Sequence, residues 1–259
     1  MDLQLRDKRA FVTGSTQGIG FAIAEALAAE RATVILNGRH TDRTRAAADR
    51  LRTLVPGADI EVAPGDVTDP TALPDLPEID ILVNNAGAFG LSDFADTDDA
   101  EWQRYLDVNL LAGARLSRRV LPGMRERGWG RILFIASESG VNVPADMIPY
   151  GVSKAATIAL GNGLAKLTRG TEVTVNTVLG GPTYSDGVAS VVGSIAAAQG
   201  VPADAVAASV IGQNTTTLLQ RFIRPDEIAA LVAFLASPRA SAINGAALRA
   251  DGGVLTGML

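Results

Sequence analysis

Short, almost uninterrupted apolar runs alternate along this chain with longer stretches of helical periodicity, and that alternation restricts its architecture more than any other feature. Runs at 9–13, 32–36, 60–63, 79–83, 131–136, 173–178 and 246–249 read as strands covered on both faces, since half-exposed strands alternate apolar with polar. Such strands need helices on either side. Strand and helix in turn predict a doubly wound, parallel α/β sheet of about seven strands with helices on both faces. No linker-like segment interrupts the 259 residues, so 1–259 is expected to form a single domain.

The first run, Phe11-Val12-Thr13, ends in Gly14-Ser15-Thr16-Gln17-Gly18-Ile19-Gly20, after which Ile19, Ile23, Ala26 and Leu27 recur at helical spacing. A strand, a glycine turn and a helix start form a site for a pyrophosphate: glycine lets the backbone approach closely, and the first helical N–H groups are free. A turn that only connects the two elements is the simpler alternative. At the end of the second run stands Asn37-Gly38-Arg39-His40. An acid here would bind a ribose diol and repel a 2′-phosphate, whereas an arginine accommodates the phosphate. A solvated loop arginine is the plainer alternative, but its place beside the expected ribose makes Arg39 point to NADP(H). His40, the single histidine, reads as a surface residue, and one histidine without cysteine makes a metal site unattractive.

The third and fourth runs close at Gly65-Asp66-Val67 and Asn84-Asn85-Ala86-Gly87, at the sheet edge where ligands of open α/β sheets bind. Residues 98–127 read as a long helical stretch with Gly113 and Pro122 marking bends or ends. Asn109 in its middle must find hydrogen-bond partners if buried. The fifth strand ends at Ser137, with Ser139 as the rival hydroxyl. Tyr150 and Lys154 follow, four residues apart on one helix and so on one face. A cation beside a tyrosine favours the phenolate, which makes the two a possible acid/base pair. A lysine merely snorkelling past a tyrosine has the same spacing. Between the sixth and seventh strands, 182–220 carries small apolar residues and few charges, the composition of a mobile cover over a pocket.

The net charge of −5 argues against a nucleic-acid or anionic-membrane partner, and the absence of cysteine excludes disulfides and thiolate chemistry. The charged N-terminal residues and the lack of a long apolar run lead us to expect a cytoplasmic protein.

Thr13-Gly14-x-x-x-Gly18-x-Gly20, Asp66, Asn84-Asn85-Ala86-Gly87, Asn109, Ser137, Tyr150-x-x-x-Lys154 and Asp251-Gly252-Gly253 occur in one order and spacing. Over positions 5–253 the chain thereby resembles the short-chain dehydrogenase/reductases, among them the 3-oxoacyl carrier-protein reductases. The resemblance implies a Rossmann-type fold and hydride transfer between nicotinamide and a ketone or secondary alcohol. Tyr150 would exchange the proton, Lys154 would lower its pKa and hold the nicotinamide ribose, and Ser137 would bond the reacting oxygen. The family pattern places this serine thirteen residues before the tyrosine, which favours Ser137 over Ser139. Asn109 would anchor a water that links Lys154 to solvent. The cofactor would lie along Gly14, Ser15, Gln17, Gly18, Ile19 and Gly20, with Arg39 at the phosphate and Asp66 and Val67 beside the adenine. Asn85, Ala86 and Gly87 would line the cleft, and Gly181 and Thr183 would meet the carboxamide. NADP(H) is expected to be preferred, with NAD(H) still used because Gln17 adds no second cation. The implied partners are a ketone, alcohol or acyl-thioester substrate and three further copies in a homotetramer.

Two other functions are compatible with the same fold. A cofactor-binding regulator or scaffold would have no need of Asn109, Ser137, Tyr150 and Lys154 together. An epimerase or dehydratase that returns its hydride is expected to carry a longer C-terminal substrate domain.

Overall fold

The computed structural model describes residues 2–72 and 75–258; Met1, Leu73, Pro74 and Leu259, which the single-domain expectation also spans, lie outside the described residues. Seven strands form one sheet: β1 (Arg9–Val12), β2 (Thr33–Leu36), β3 (Ile60–Val62), β4 (Ile81–Asn84), β5 (Trp129–Ser137), β6 (Glu172–Gly180) and β7 (Ala247–Ala250). Their order is β3-β2-β1-β4-β5-β6-β7, and every pairing is parallel. Chain progression reverses direction between β1 and β4, which opens a crevice at their carboxyl ends.

The helices are α1 (Gly18–Ala29), α2 (Thr41–Leu54), α3 (Asp99–Leu106), α4 (Ala112–Arg127), α5 (Ile148–Ala165), α6 (Asp186–Gln199), α7 (Ala203–Gly212) and α8 (Pro225–Ala236). Side chains from α1, α2 and α8 share a core with Ala10, Val12, Val34 and Leu133. Those of α4 and α5 share a second with Phe11, Leu82, Ile132 and Phe134. Neighbouring strand residues fall into different cores because successive side chains point to opposite faces. This is why the runs read as continuous apolar segments.

The helical stretch from position 98 departs from its expectation in one respect. Gly113 and Pro122 lie inside α4 and do not end it. Gly113 is a contact residue, since a Cβ there would come 2.9 Å from Phe134 Cε1. The irregularity falls instead at Asp107–Leu111, a π-helical turn joining α3 to α4 with the buried Asn109 at its centre. Its backbone carbonyl accepts Thr157 Oγ1 at 3.0 Å, which ties α5 to the bulge. Such bulges free a carbonyl and re-aim a side chain.

Most of segment 182–220 is the helix pair α6 and α7, which packs around a small cluster of Val192, Ala196 and Val206 separate from the two main cores. Its start is held to the loop before α8 by the Ile223 N–H to the Pro182 carbonyl at 2.8 Å, and its end to the turn after β7 by the Leu218 N–H to the Gly252 carbonyl at 2.9 Å.

Candidate active site

The glycine turn is built by side chains from three strand ends. Thr13 Oγ1 accepts the Asn85 and Ala86 N–H groups, each at 2.9 Å, which brings the β1 and β4 ends together. Asn85 Nδ2 donates to the Thr13 and Gly14 carbonyls at 2.9 and 3.1 Å. From β2, Asn37 accepts the Gly14 N–H on Oδ1 at 3.3 Å and donates from Nδ2 to the Ala63 and Gly65 carbonyls at 2.9 and 3.1 Å. Asn37 was missed in the sequence because its partners lie on two separate segments. An asparagine closing the second strand beside a glycine turn is the signal that could have found it.

Gly14 and Gly18 both adopt φ of +60°, the left-handed region in which a side chain is strained. Gly20 needs glycine for space: a Cβ there would come 2.4 Å from both the Gly14 carbonyl oxygen and Asn85 Nδ2. The turn delivers the start of α1, whose preceding residue Gln17 is exposed and makes no side-chain cap, so its first N–H groups face outward. One already meets an anionic oxygen, as Gly18 N–H donates to Asp186 Oδ2 at 2.6 Å. A cradle that admits no Cβ and a helix start that takes a carboxylate fit a pyrophosphate.

Two side chains expected at the cofactor point elsewhere. Ser15 Oγ is buried, donating to the Val12 carbonyl at 2.8 Å and accepting the Asn37 N–H at 2.9 Å. Val67 packs into the second core. The Ser15 N–H is engaged as well, donating to the Asn37 carbonyl at 2.9 Å, because this tight turn is held from inside by the serine. Asp66 Oδ1 closes a local turn with the Thr68 N–H at 2.9 Å and hydroxyl at 2.7 Å. Ile19 is partly buried against the first core. Gly181 is pressed against the Asp251 backbone, its Cβ position 2.4 Å from that carbonyl oxygen, and Thr183 Oγ1 donates to the Gly181 carbonyl at 2.9 Å. Asp251 in turn accepts the Gly253 and Leu255 N–H groups at 3.1 and 3.0 Å.

Asn109, Ser137, Tyr150 and Lys154 converge on the carboxyl ends of β4 and β5. Asn109 Oδ1 accepts the Ala88 N–H at 2.8 Å, and its Nδ2 donates to the Ala88 carbonyl at 3.0 Å and Ser153 Oγ at 2.8 Å. Ser153 Oγ donates its own hydrogen bond to the Tyr150 carbonyl at 2.6 Å. Gly87 separates Asn109 from Lys154: its Cβ position lies 3.3 Å from Asn109 Oδ1 and 3.5 Å from Lys154 Nζ. Ser137 Oγ is within hydrogen-bonding range of the Tyr150 hydroxyl. Ser139, the rival hydroxyl, is buried and donates to Glu138 Oε1 at 3.3 Å.

The electrostatics differ from the expectation drawn from the tyrosine–lysine spacing. Burial of the Tyr150 hydroxyl end, reinforced by the neighbouring Glu138, pushes its pKa up to about 12 despite the hydrogen bond with Ser137. Lys154 is buried as well, and desolvation lowers it to about 8. Its ammonium lies 5.7 Å from the Tyr150 ring centroid and donates to the Ile135 carbonyl at 2.8 Å. Desolvation, not the neighbouring cation, thus sets the direction of the Tyr150 shift. At neutral pH the tyrosine carries its proton and the lysine its charge.

A parallel seven-stranded sheet with a glycine turn at the β1/β4 crevice and an Asn-Ser-Tyr-Lys set beside it defines a nicotinamide-dependent oxidoreductase. The chain belongs to the short chain dehydrogenase family, whose model matches residues 8–194, and it acts on CH–OH groups with NAD(P). It is 43% identical to the uncharacterized oxidoreductase YvaG of Bacillus subtilis over 98% of both chains. It is 34% identical to the D-beta-hydroxybutyrate dehydrogenase of Cupriavidus necator, covering 96% of this chain and 98% of that one. Among solved structures, L-sorbose reductase from Gluconobacter frateurii, complexed with NADPH and L-sorbose, aligns over all of both chains with a TM-score of 0.92 and 31% identity. No single helix among the described residues is long and apolar enough to cross a membrane.

Proposed function

We propose that this protein is an NADP(H)-linked reductase of ketones, and in reverse a dehydrogenase of secondary alcohols, with Tyr150 as the general acid and base. The convergence of the Tyr150 hydroxyl, Ser137 Oγ and the buried Lys154 ammonium beside the glycine turn is the observation that carries this reading. The nicotinamide supplies the hydride when bound. Tyr150, protonated at neutral pH, gives its proton to the carbonyl oxygen as negative charge develops there, and Ser137 lies where it can bond the same oxygen. Lys154 keeps a positive charge behind the tyrosine, which eases loss of that proton. Asn109 fixes the loop after β4 against α5 and so holds the distance between Gly87 and Lys154.

Following nicotinamide absorbance with L-sorbose, D-3-hydroxybutyrate and an acetoacetyl thioester tests the function. Net turnover with any of them supports a redox enzyme and ranks the substrate classes. Tight cofactor binding with none turned over would leave a binding protein and refute the proposal.

Arg39 favours the phosphorylated cofactor. It stands at the end of β2, exposed, and makes no hydrogen bond or ion pair with any described residue. Its neighbour Gly38 packs against the glycine turn, a Cβ at that position lying 2.5 Å from Thr16 Cγ2. The guanidinium is therefore available beside the turn, and the NADPH bound by the sorbose reductase agrees with this use. A charge-assisted bond of about 1.5–3 kcal/mol corresponds to roughly 10- to 100-fold in affinity. Arg39→Ala is expected to raise the Kd for NADPH by that factor and to leave NADH almost unchanged; equal loss for both would show that Arg39 turns to solvent. Gly38→Asp is a poor complement, because the clash with Thr16 would distort the turn along with the charge.

The segment 182–220 acts, in this reading, as a cover that closes over cofactor and substrate. Asp186 at the start of α6 hooks it to the Gly18 N–H, the position a pyrophosphate oxygen would take. Hydrogen exchange without cofactor is expected to be faster in α6 and α7 than in β4 and β5. Equal protection in both would remove the cover. The protein is further proposed to assemble as a homotetramer through α4 and α5, on which Val152 and, just beyond the helix, Leu167 are left exposed. Light scattering at micromolar concentration should return four times the chain mass, and a monomer refutes the assembly.

A further inference from the structure

Ser137 carries a single proton, and in the structure that proton is already engaged. Its Oγ donates to Glu138 Oε2 and accepts the Ser139 backbone N–H at 3.2 Å, while the Tyr150 hydroxyl lies within bonding range. A hydroxyl has one O–H and two acceptor sites. Held this way, Ser137 offers the reacting oxygen nothing but lone pairs, whereas an oxygen gaining negative charge needs donors. The other oxygen of the carboxyl, Glu138 Oε1, accepts Ser139 Oγ at 3.3 Å. Among the described residues no lysine, arginine or histidine forms an ion pair with Glu138. The titratable group that feels its charge is Tyr150 on α5, whose ring in turn meets Tyr105 of α3 edge-on at 6.4 Å; Lys154 is turned to the Ile135 carbonyl. A half-buried acid next to the serine, without a cation, has no evident structural purpose.

We propose that Glu138 is a positioning residue that decides which way the Ser137 hydroxyl points. With the carboxylate ionised, Ser137 donates to it and turns its proton away from the substrate. With the carboxyl protonated, the bond reverses: Glu138 donates to Ser137 Oγ, and the Ser137 proton is released toward the carbonyl oxygen. The only net change is one proton taken from solvent by Glu138. Burial, the largest influence on this group, raises its pKa, so the protonated form persists to higher pH than in an ordinary glutamate. Ketone reduction is then favoured on the acid side of that pKa and falls as pH rises through it.

The proposal rests on Ser137 and Tyr150 acting as described above, and the test separates the two. Reduction of L-sorbose, or of whichever panel ketone is turned over fastest, is measured from mildly acidic to mildly alkaline pH. The proteins compared are the parent, Glu138→Gln and Ser137→Ala. The glutamine amide donates to Ser137 at every pH. The parent is expected to lose roughly 10- to 100-fold between its acid and alkaline plateaus, the cost of freeing a proton from a charged acceptor. Glu138→Gln should hold the acid-plateau rate throughout. Parallel profiles for parent and Glu138→Gln, with Ser137→Ala impaired, overturn the proposal alone; full turnover in Ser137→Ala overturns the site reading beneath it. A second measurement needs neither turnover nor cofactor. The Tyr150 phenolate is titrated by its absorbance difference from the matching Tyr150→Phe protein. Because the Glu138 charge helps push Tyr150 up, Glu138→Gln should lower the midpoint, and an unmoved midpoint overturns the coupling.

Discussion

Tyr150→Phe is expected to lower turnover by about 10²–10⁴-fold while leaving cofactor affinity and thermal stability close to the parent's, because only a hydroxyl is removed. The ring stays, and with it the edge contact to Tyr105 and the backbone bond from Ser153. Its direction with pH follows from burial. Since desolvation pushes Tyr150 up to about 12, the parent has its acid form available for ketone reduction throughout the neutral range. Alcohol oxidation needs the ionised form, so its rate should climb with pH below that value, and the climb should vanish in Tyr150→Phe. A variant with near-parental kcat, or one that keeps the alkaline climb, would assign the proton transfer to another group.

Gly20→Ala is expected to be strongly damaging at the cofactor cradle. The new Cβ would sit 2.4 Å from the Gly14 carbonyl oxygen and from Asn85 Nδ2, and the first of these is backbone held in a left-handed turn. Relief requires the turn to move away from α1 or the Asn85 clamp to open. Overpacking of this kind costs about 1–3 kcal/mol in stability, and the loss should concentrate at the cofactor cradle. Calorimetry is expected to show a lower Tm. Cofactor titration should show a Kd raised by more than Arg39→Ala achieves, for both NADPH and NADH, because the pyrophosphate cradle is common to them. A parental Kd in a stably folded Gly20→Ala would mean that the cradle is not where the cofactor binds.

Periodicity was enough to find the seven strands of the sheet, because parallel strands covered on both faces are written as uninterrupted apolar runs. The ends of those strands were less legible. β5 and β6 extend to Ser137 and Gly180, which pair with one another in the sheet, and nothing in a local run of residues reveals that a neighbouring strand continues alongside. Gly113 and Pro122 looked like interruptions by their intrinsic preferences, yet packing against Phe134 and the length of α4 override them. The true irregularity, at Asn109, left only a faint trace in the sequence: a polar residue in an apolar helical run.

The sequence by itself determined the sheet and the glycine turn, since each depends on spacing along the chain, and its resemblance to the family pointed to Asn109, Ser137, Tyr150 and Lys154 as a set. Tertiary structure alone decided what the spacing could not carry. Asn37 and Asn85 clamp the turn across segments far apart in the chain, and Ser15 and Val67 turn inward although their neighbours face the crevice. The ionisation of the site belongs here as well. Lys154 stands one helical turn from Tyr150 and was expected to lower its pKa, but burial of both groups and the carboxyl of Glu138 set the balance the other way. Desolvation depends on everything that surrounds an atom, and that is a property of the folded chain.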